Sequence, residues 1–169
     1  GGGFYAAGGE IVLDNCSAIC TGATSWFVPL SISSSGKMTV NSGSYTIEPV
    51  DAANGQYLAY VMNSGGELVI NGGTFNGTVA SGNALKACGL ICADTGAKVT
   101  LNGGTYNSNG AILDMRNNLG NASKNPSALL AGGDYSNDPR VSGLYSSNLI
   151  TVADGKTVAQ GANGRWTVE

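Results

Sequence analysis

The sequence predicts an all-β chain wound into a parallel β-helix, a solenoid of about five coils. Three observations carry that expectation. A phrase of about ten residues recurs in one register, as Glu10-Ile-Val-Leu-Asp-Asn, Lys37-Met-Thr-Val-Asn-Ser-Gly-Ser-Tyr, Glu67-Leu-Val-Ile-Asn-Gly-Gly-Thr-Phe and Lys98-Val-Thr-Leu-Asn-Gly-Gly-Thr-Tyr, then degraded as Ser127-Ala-Leu-Leu-Ala-Gly-Gly-Asp-Tyr. Its copies start 27, 30, 31 and 29 residues apart, a period that belongs to solenoids and arrays. Within each copy apolar and polar residues alternate with period two, as in a short strand with one buried face. A β-sandwich is the architectural rival, but a sandwich does not require one phrase in one register again and again.

The phrase supplies the first strand of each coil. Ile11, Met38, Leu68 and Val99 form one inward row, and Leu13, Val40, Ile70 and Leu101 the next. Outward, Glu10, Lys37, Glu67 and Lys98 make a column of alternating sign, which avoids like-charge stacking. Asn41, Asn71 and Asn102 follow in register, with Asp14 in their place in the first coil. Stacked Asn side chains can bond to one another and to a turn's backbone. The glycines after them supply a tight corner. Tyr45, Phe75, Tyr106 and Tyr135 then predict an aromatic stack in the core.

A second strand precedes each phrase. Counting back aligns Phe27 with Tyr57 and Cys88, and Leu30 with Tyr60 and Ile91. Val28, Leu30, Ile32, Leu58, Tyr60 and Met62 then point inward. The alternate positions, among them Phe27, Tyr57, Val61, Cys88, Leu90, Cys92 and Ile112, make an apolar stripe on the outside, a candidate interaction surface. The stripe has two readings: a contact with a partner, or a surface covered by the tail or the Gly-rich start of the chain. A polar, Gly-bearing insertion from Asn117 to Asn125 follows Ala111–Arg116. Helical periodicity and helix caps are missing throughout.

The tail breaks the pattern. Residues 149–153 and 156–160 read as a hairpin turned at Asp154 and Gly155, and a second turn at 161–164 leads into Arg165–Val168. A solenoid needs an atypical last unit, so 141–169 is expected to cap coils running from 10 to 136 in one domain, 1–169. The nine residues before the first strand are dominated by Gly and cannot cap the other end. Self-association or fusion to a flanking domain of a longer parent is therefore expected there. With no initiator Met or signal peptide, the chain reads as a processed product or an excised piece.

Composition narrows the class. Net charge is −3 with no basic patch, against a nucleic-acid partner, and no apolar run is long enough to insert in a bilayer. Four cysteines form two Cys-x-x-x-Cys pairs, Cys16/Cys20 and Cys88/Cys92, compatible with disulfides of unspecified connectivity. Zinc is not expected, because His is absent and the spacing is wrong for a knuckle. No cofactor is expected either. Cys16 and Cys20 could meet around a tight corner, whereas Cys88 and Cys92 in one extended strand would lie roughly 13 Å apart.

The phrases Leu-Val-Ile-Asn-Gly-Gly-Thr-Phe-Asn from residue 68 and Val-Thr-Leu-Asn-Gly-Gly-Thr-Tyr-Asn from residue 99 resemble the repeats of right-handed parallel β-helix domains in secreted and cell-wall proteins of Gram-positive, often gut-dwelling, bacteria. The closing Asn-Gly-Arg-Trp-Thr-Val is similar to the ends of such domains. The resemblance covers residues 10–136 well and the tail loosely. It implies an extracellular or cell-surface address and an adhesive, carbohydrate-associated or spacer role. Right-handedness follows from it and from the general preference of parallel connections. It carries over no catalytic motif.

Three function classes follow, in order. The first is a non-catalytic structural or adhesive module, a surface-protein stalk or self-assembling subunit. The alternative is a glycan-binding module, which needs exposed aromatic platforms; Trp26 at a coil corner is the candidate, ahead of Phe27 and Tyr57, with Trp166 read as cap packing. A polysaccharide lyase or glycoside hydrolase ranks last. Its best constellation is Asp94, Asp114 and Arg116, with Arg116 stacked on Asp94 from the next coil, which a cross-strand ion pair explains equally.

Overall fold

The computed structural model describes residues 3–23, 28–49, 57–62, 65–77, 89–116, 122–143 and 147–169. It is an all-β parallel β-helix, and its strands come in chain order as repeating triplets. The chain lays down β1 (Phe4–Ala7), β2 (Glu10–Leu13) and β3 (Cys16–Ala23), then β4 (Leu30–Ser33), β5 (Lys37–Val40) and β6 (Gly43–Pro49). Next come β7 (Ala59–Val61), β8 (Glu67–Ile70) and β9 (Thr74–Gly77), then β10 (Gly89–Ala93), β11 (Lys98–Leu101) and β12 (Thr105–Ser108). After β13 (Ala111–Met115), β14 (Ser127–Leu130) and β15 (Gly133–Tyr135), the chain ends with β16 (Ile150–Val152), β17 (Val158–Gln160) and β18 (Trp166–Val168).

The strands stack in parallel on their counterparts one repeat away, except β17 and β18 at the end of the chain, giving three sheets. Sheet one runs β1-β4-β7-β10-β13, sheet two β2-β5-β8-β11-β14-β16, and sheet three β3-β6-β9-β12-β15-β18-β17. The recurring phrase builds sheet two, and its register is the one the sequence predicts: Glu10 pairs with Lys37, Lys37 with Glu67 and Glu67 with Lys98. The Lys37 ammonium lies 3.6 Å from the Glu10 carboxylate. Both inward rows are buried, except that Ile11 in the first repeat is only half-covered.

The aromatic column forms on sheet three. Tyr45 and Phe75 stack with centroids 5.3 Å apart, Phe75 and Tyr106 at 5.0 Å, Tyr106 and Tyr135 at 4.8 Å, and all three pairs are within 12° of parallel. Those separations are the strand spacing itself, so ring stacking and the hydrogen-bond ladder reinforce one register. Each phenol returns to the carbonyl three residues earlier: Tyr45 to Ser42 at 3.1 Å, Tyr106 to Gly103 at 2.8 Å and Tyr135 to Gly132 at 2.5 Å. The corner at Gly43, Gly73, Gly104 and Gly133 makes that return possible. All four have φ between 103° and 120°, where a side chain is strained, and a Cβ on Gly133 would strike the Tyr135 ring.

The Asn column is a surface ladder. Asn102 donates its amide to the Asn71 oxygen at 2.8 Å, and Asn71 donates to Asn41 at 2.8 Å. These side chains are exposed, so the ladder fixes register at a corner and does not rescue buried polar groups. A second ladder runs from Asn107 to Asn76 at 2.8 Å and on to Thr46 at 3.4 Å.

Sheet one departs from the expected register. Leu30 pairs with Ala59, and Ala59 with Ile91, so β7 is slipped by one residue from the sequence alignment that placed Tyr60 there. Leu58, Ala59, Tyr60, Val61 and Met62 are all apolar or aromatic, and such a run carries no alternation to fix its phase; one step flips every side chain. Val61 is consequently a core residue, and Leu90 and Ile112 are buried in the same core, while Tyr60 is not in it. Leu90 fills the space left by the missing side chain of Gly77 on sheet three.

The tail is also corrected. β16 continues sheet two in parallel with β14, and the turn at Asp154 and Gly155 carries the chain across to sheet three. The hairpin is β17 with β18, closed by 161–164, and β18 lies antiparallel on β15. Cys16 and Cys20 occupy one continuous strand and are free thiols, so no corner brings them together.

Candidate functional site

A polar cluster lies on the outer side of sheet one, toward its β13 edge. Ile91, Ala93, Leu113 and Met115 turn into the core, so Cys92 and Asp114, paired across β10 and β13, turn away from it. Tyr60 stands in the same row on β7. An outward position on a solenoid is ordinarily wet, yet Cys92 and Asp114 are both 0 % exposed.

The cover is aromatic and cationic. The Tyr57 hydroxyl donates to Asp114 Oδ2 at 3.0 Å, and the Arg116 guanidinium donates to the Tyr57 oxygen at 2.7 Å. Arg116, just past the end of β13, also lies 3.9 Å from Asp114 Oδ2, an ion pair between residues two apart in the chain. Its guanidinium carbon sits 5.4 Å from the Tyr57 ring centre and 5.6 Å from that of Tyr60, within cation–π range of both. Tyr60 donates to Asp94 Oδ2 at 2.8 Å, while the other Asp94 oxygen accepts from the Thr95 backbone at 2.7 Å.

Protonation follows burial. Desolvation pushes the Tyr57 phenol far above its ordinary range, and the neighbouring Cys92 and Asp114 add to it. Burial, then the hydrogen bond to the Asp94 carboxylate, raises Tyr60. Burial likewise raises the Cys92 thiol, against the pull of Arg116. The cluster therefore holds neutral phenols and a neutral thiol around an Asp–Arg pair at ordinary pH. A buried, protonated thiol is inert as a nucleophile or ligand. Among the described residues no three His, Cys, Asp or Glu side chains gather as a metal site.

Asp94, Asp114 and Arg116, picked out in the sequence as the best catalytic constellation, are thus brought together, but with Asp114 sealed beneath Tyr57. The predicted outward stripe is not an exposed surface: Tyr57, Val61, Leu90, Cys92 and Ile112 are all 3 % exposed or less. Cys92 does face outward, as expected, and is roofed over; Val61, Leu90 and Ile112 face the core. Trp26, Phe27 and Cys88 lie outside the described residues. Trp166 packs partly buried against the core with the Arg140 guanidinium 5.3 Å from its ring centre.

Sequence reasoning missed one polar anchor. Arg165 binds the Asp134 carboxylate, donates to Asn107 Oδ1 at 3.0 Å and reaches the Tyr106 and Asp134 carbonyls at 3.3 and 3.4 Å. It fastens the terminal hairpin to the end of the second Asn ladder. The outward column through Asn76 and Asn107 was the available signal, but nothing in the sequence places Arg165 beside it.

No protein-family model, curated protein or solved structure matches the chain. No helix among the described residues is long and apolar enough to cross a membrane.

Proposed function

We propose that the chain is a non-catalytic structural and adhesive module of a bacterial cell-surface or secreted protein, a stalk or self-assembling subunit. Its solenoid comprises about five right-handed coils, capped by residues 141–169. The observation that carries this reading is the use made of the polar groups. Asp114 and Tyr57 are fully buried and hydrogen-bonded within the fold, the Asn column bonds rung to rung, and the aromatic column stacks ring on ring. Such groups stiffen a repeat array and leave little reactive chemistry at the surface. The cap reading is supported by the antiparallel β18 on β15 and by the Arg165 anchor. The extracellular address rests on the likeness of the repeated phrase to cell-wall β-helix domains.

Partners follow from the other end. β1, β2 and β3 are the edge strands of the three sheets, and Phe4, Ile11, Cys16 and Ala18 beside them are only partly buried. Unpaired edges invite another strand, from a second copy or a flanking domain. Size-exclusion chromatography with small-angle scattering tests the module as a rod or assembly. Incubation with a panel of plant and bacterial polysaccharides tests the non-catalytic claim. New reducing ends or unsaturated products that vanish in Asp94→Asn would overturn it.

A further inference from the structure

Sheet three begins with β3, and among the described residues nothing pairs with the outer edge of that strand. β3 is eight residues long and carries no formal charge. Its pairing with β6 is regular from Cys16 to Thr21, where a register shift interrupts it. Cys16, Ala18 and Cys20 lie beside Gly43, Tyr45 and Ile47 and face the core, whereas Ile19 points outward and is 71 % exposed. Cys20 is buried, Cys16 is partly exposed, and both are free thiols. A long uncharged edge is a template for another strand.

The stretch Cys16-Ser-Ala-Ile-Cys20 is nearly symmetric about Ala18. Set antiparallel against itself about that residue, it places Cys16 directly opposite the partner's Cys20, and Cys20 opposite the partner's Cys16. Opposed residues of an antiparallel pair have Cα atoms roughly 4.5–5.5 Å apart, and a disulfide spans roughly 4.4–6.8 Å. All four sulfurs then lie on the core face, where the small Ala18 leaves them room. Ile19 packs on the outside, beside the partner's Ser17.

Electrostatics selects the same axis. A two-fold through β3 lays the neutral β1 against the partner's β2, so Glu10 meets no like charge. A two-fold through β2 would crowd Glu10 against the partner's Glu10 or Asp14. The opposite end of the solenoid does not match this one: among the described residues sheet one ends at β13, while sheets two and three run on to β16 and β17.

We propose that two copies of the chain pair through β3 as a two-fold dimer, closed by two disulfides that each join Cys16 of one copy to Cys20 of the other. Such an interface is self-complementary, as two-fold symmetry requires. The oxidant is a small-molecule disulfide such as oxidised glutathione. The Cys16 thiolate attacks it and expels one glutathione thiolate. The partner's Cys20 thiolate then attacks the Cys16 sulfur and expels the second. Each bridge takes two electrons from two cysteines, and their two protons end on the two glutathione thiolates. This inference rests on the self-assembling form of the reading above and names its interface.

The test incubates the whole chain with oxidised glutathione, followed by light scattering and non-reducing electrophoresis. The expected result is a species of twice the chain mass that dithiothreitol reverses. Trypsin cuts at Lys37 and Lys86, which separates the peptide holding Cys16 and Cys20 from the one holding Cys88 and Cys92. The cross-link is expected to join two copies of the first peptide. Cys16→Ser and Cys20→Ser should each lose it alone, and an equimolar mixture of the two should regain it as a singly bridged heterodimer. Circular dichroism checks the fold, and Cys20→Ala replaces Cys20→Ser if the latter unfolds. Cross-linking of Cys20→Ser with itself, a bridge within one chain or a link through Cys88 overturns the proposal. So does a chain that stays monomeric, although a monomeric rod leaves the stalk form of the function standing.

Discussion

Arg116 donates a 2.7 Å hydrogen bond to the Tyr57 oxygen, and Tyr57 in turn donates at 3.0 Å to Asp114, which lies on β13 two residues before Arg116. A loop residue 59 positions upstream of Arg116 thereby closes over a buried carboxylate. Removing the cation leaves that carboxylate without its charge partner. Arg116→Met is expected to destabilise the fold by about 2–4 kcal/mol, below the usual figure for a buried pair because Arg116 is partly wet. Asp114→Leu combined with Arg116→Met should recover most of the loss. Guanidinium unfolding of the three proteins checks this; equal damage in single and double variants would mean the pair is not coupled.

Charge at Val61 or Leu90 should unfold the chain. Both are core residues, so Val61→Asp and Leu90→Asp each bury an unpaired carboxylate. Circular dichroism is expected to show lost β-structure. A folded Leu90→Asp protein that merely changed oligomeric state would restore the surface-stripe reading.

Phe75 is sandwiched between Tyr45 and Tyr106. Phe75→Ala opens a cavity at the centre of the stack and is expected to lose about 3–5 kcal/mol. Gly73→Ala, two residues earlier, should also destabilise, because φ is 108° there and a Cβ would crowd the neighbouring corner. Urea midpoints for the two variants give the comparison.

The charge column should respond to sign and to salt. Lys37→Glu would place three carboxylates in succession at positions 10, 37 and 67. The loss is expected to stay under ~1 kcal/mol, since the side chains are substantially exposed, and to shrink in 1 M salt. A salt-independent loss would point to register slippage as the cause.

Stability should fall on the alkaline side. Tyr57, Tyr60, Tyr135 and Cys92 have native pKa values raised chiefly by burial. Unfolding returns them to about 8.5 for the thiol and about 10 for the phenols. Their contribution is complete below those values. It is lost as pH climbs toward the raised native ones, because the unfolded chain then holds fewer protons. The melting temperature is expected to be level near neutrality and to drop steeply above about pH 10, less so in Tyr57→Phe.

How much of this was legible depends on whether a residue's phase was marked. Glu10, Lys37, Glu67 and Lys98 alternate against apolar neighbours in a fixed frame, and the Asn, Gly and aromatic positions follow at constant offsets. The sequence by itself therefore determined the solenoid, the register of sheet two and the aromatic column, since a one-residue error would have exposed a whole apolar row. Only the tertiary structure decided the register of β7, because Leu58 to Met62 suit either face. It alone brought Tyr57 over Asp114 and Arg165 onto Asn107, contacts spanning 57 and 58 residues that no local pattern encodes. Among the described residues, it also ends sheet one at β13. Backbone pairing is repeated and local to neighbouring repeats, so it can be read from the chain; what covers an outward face is decided once, by where a loop falls.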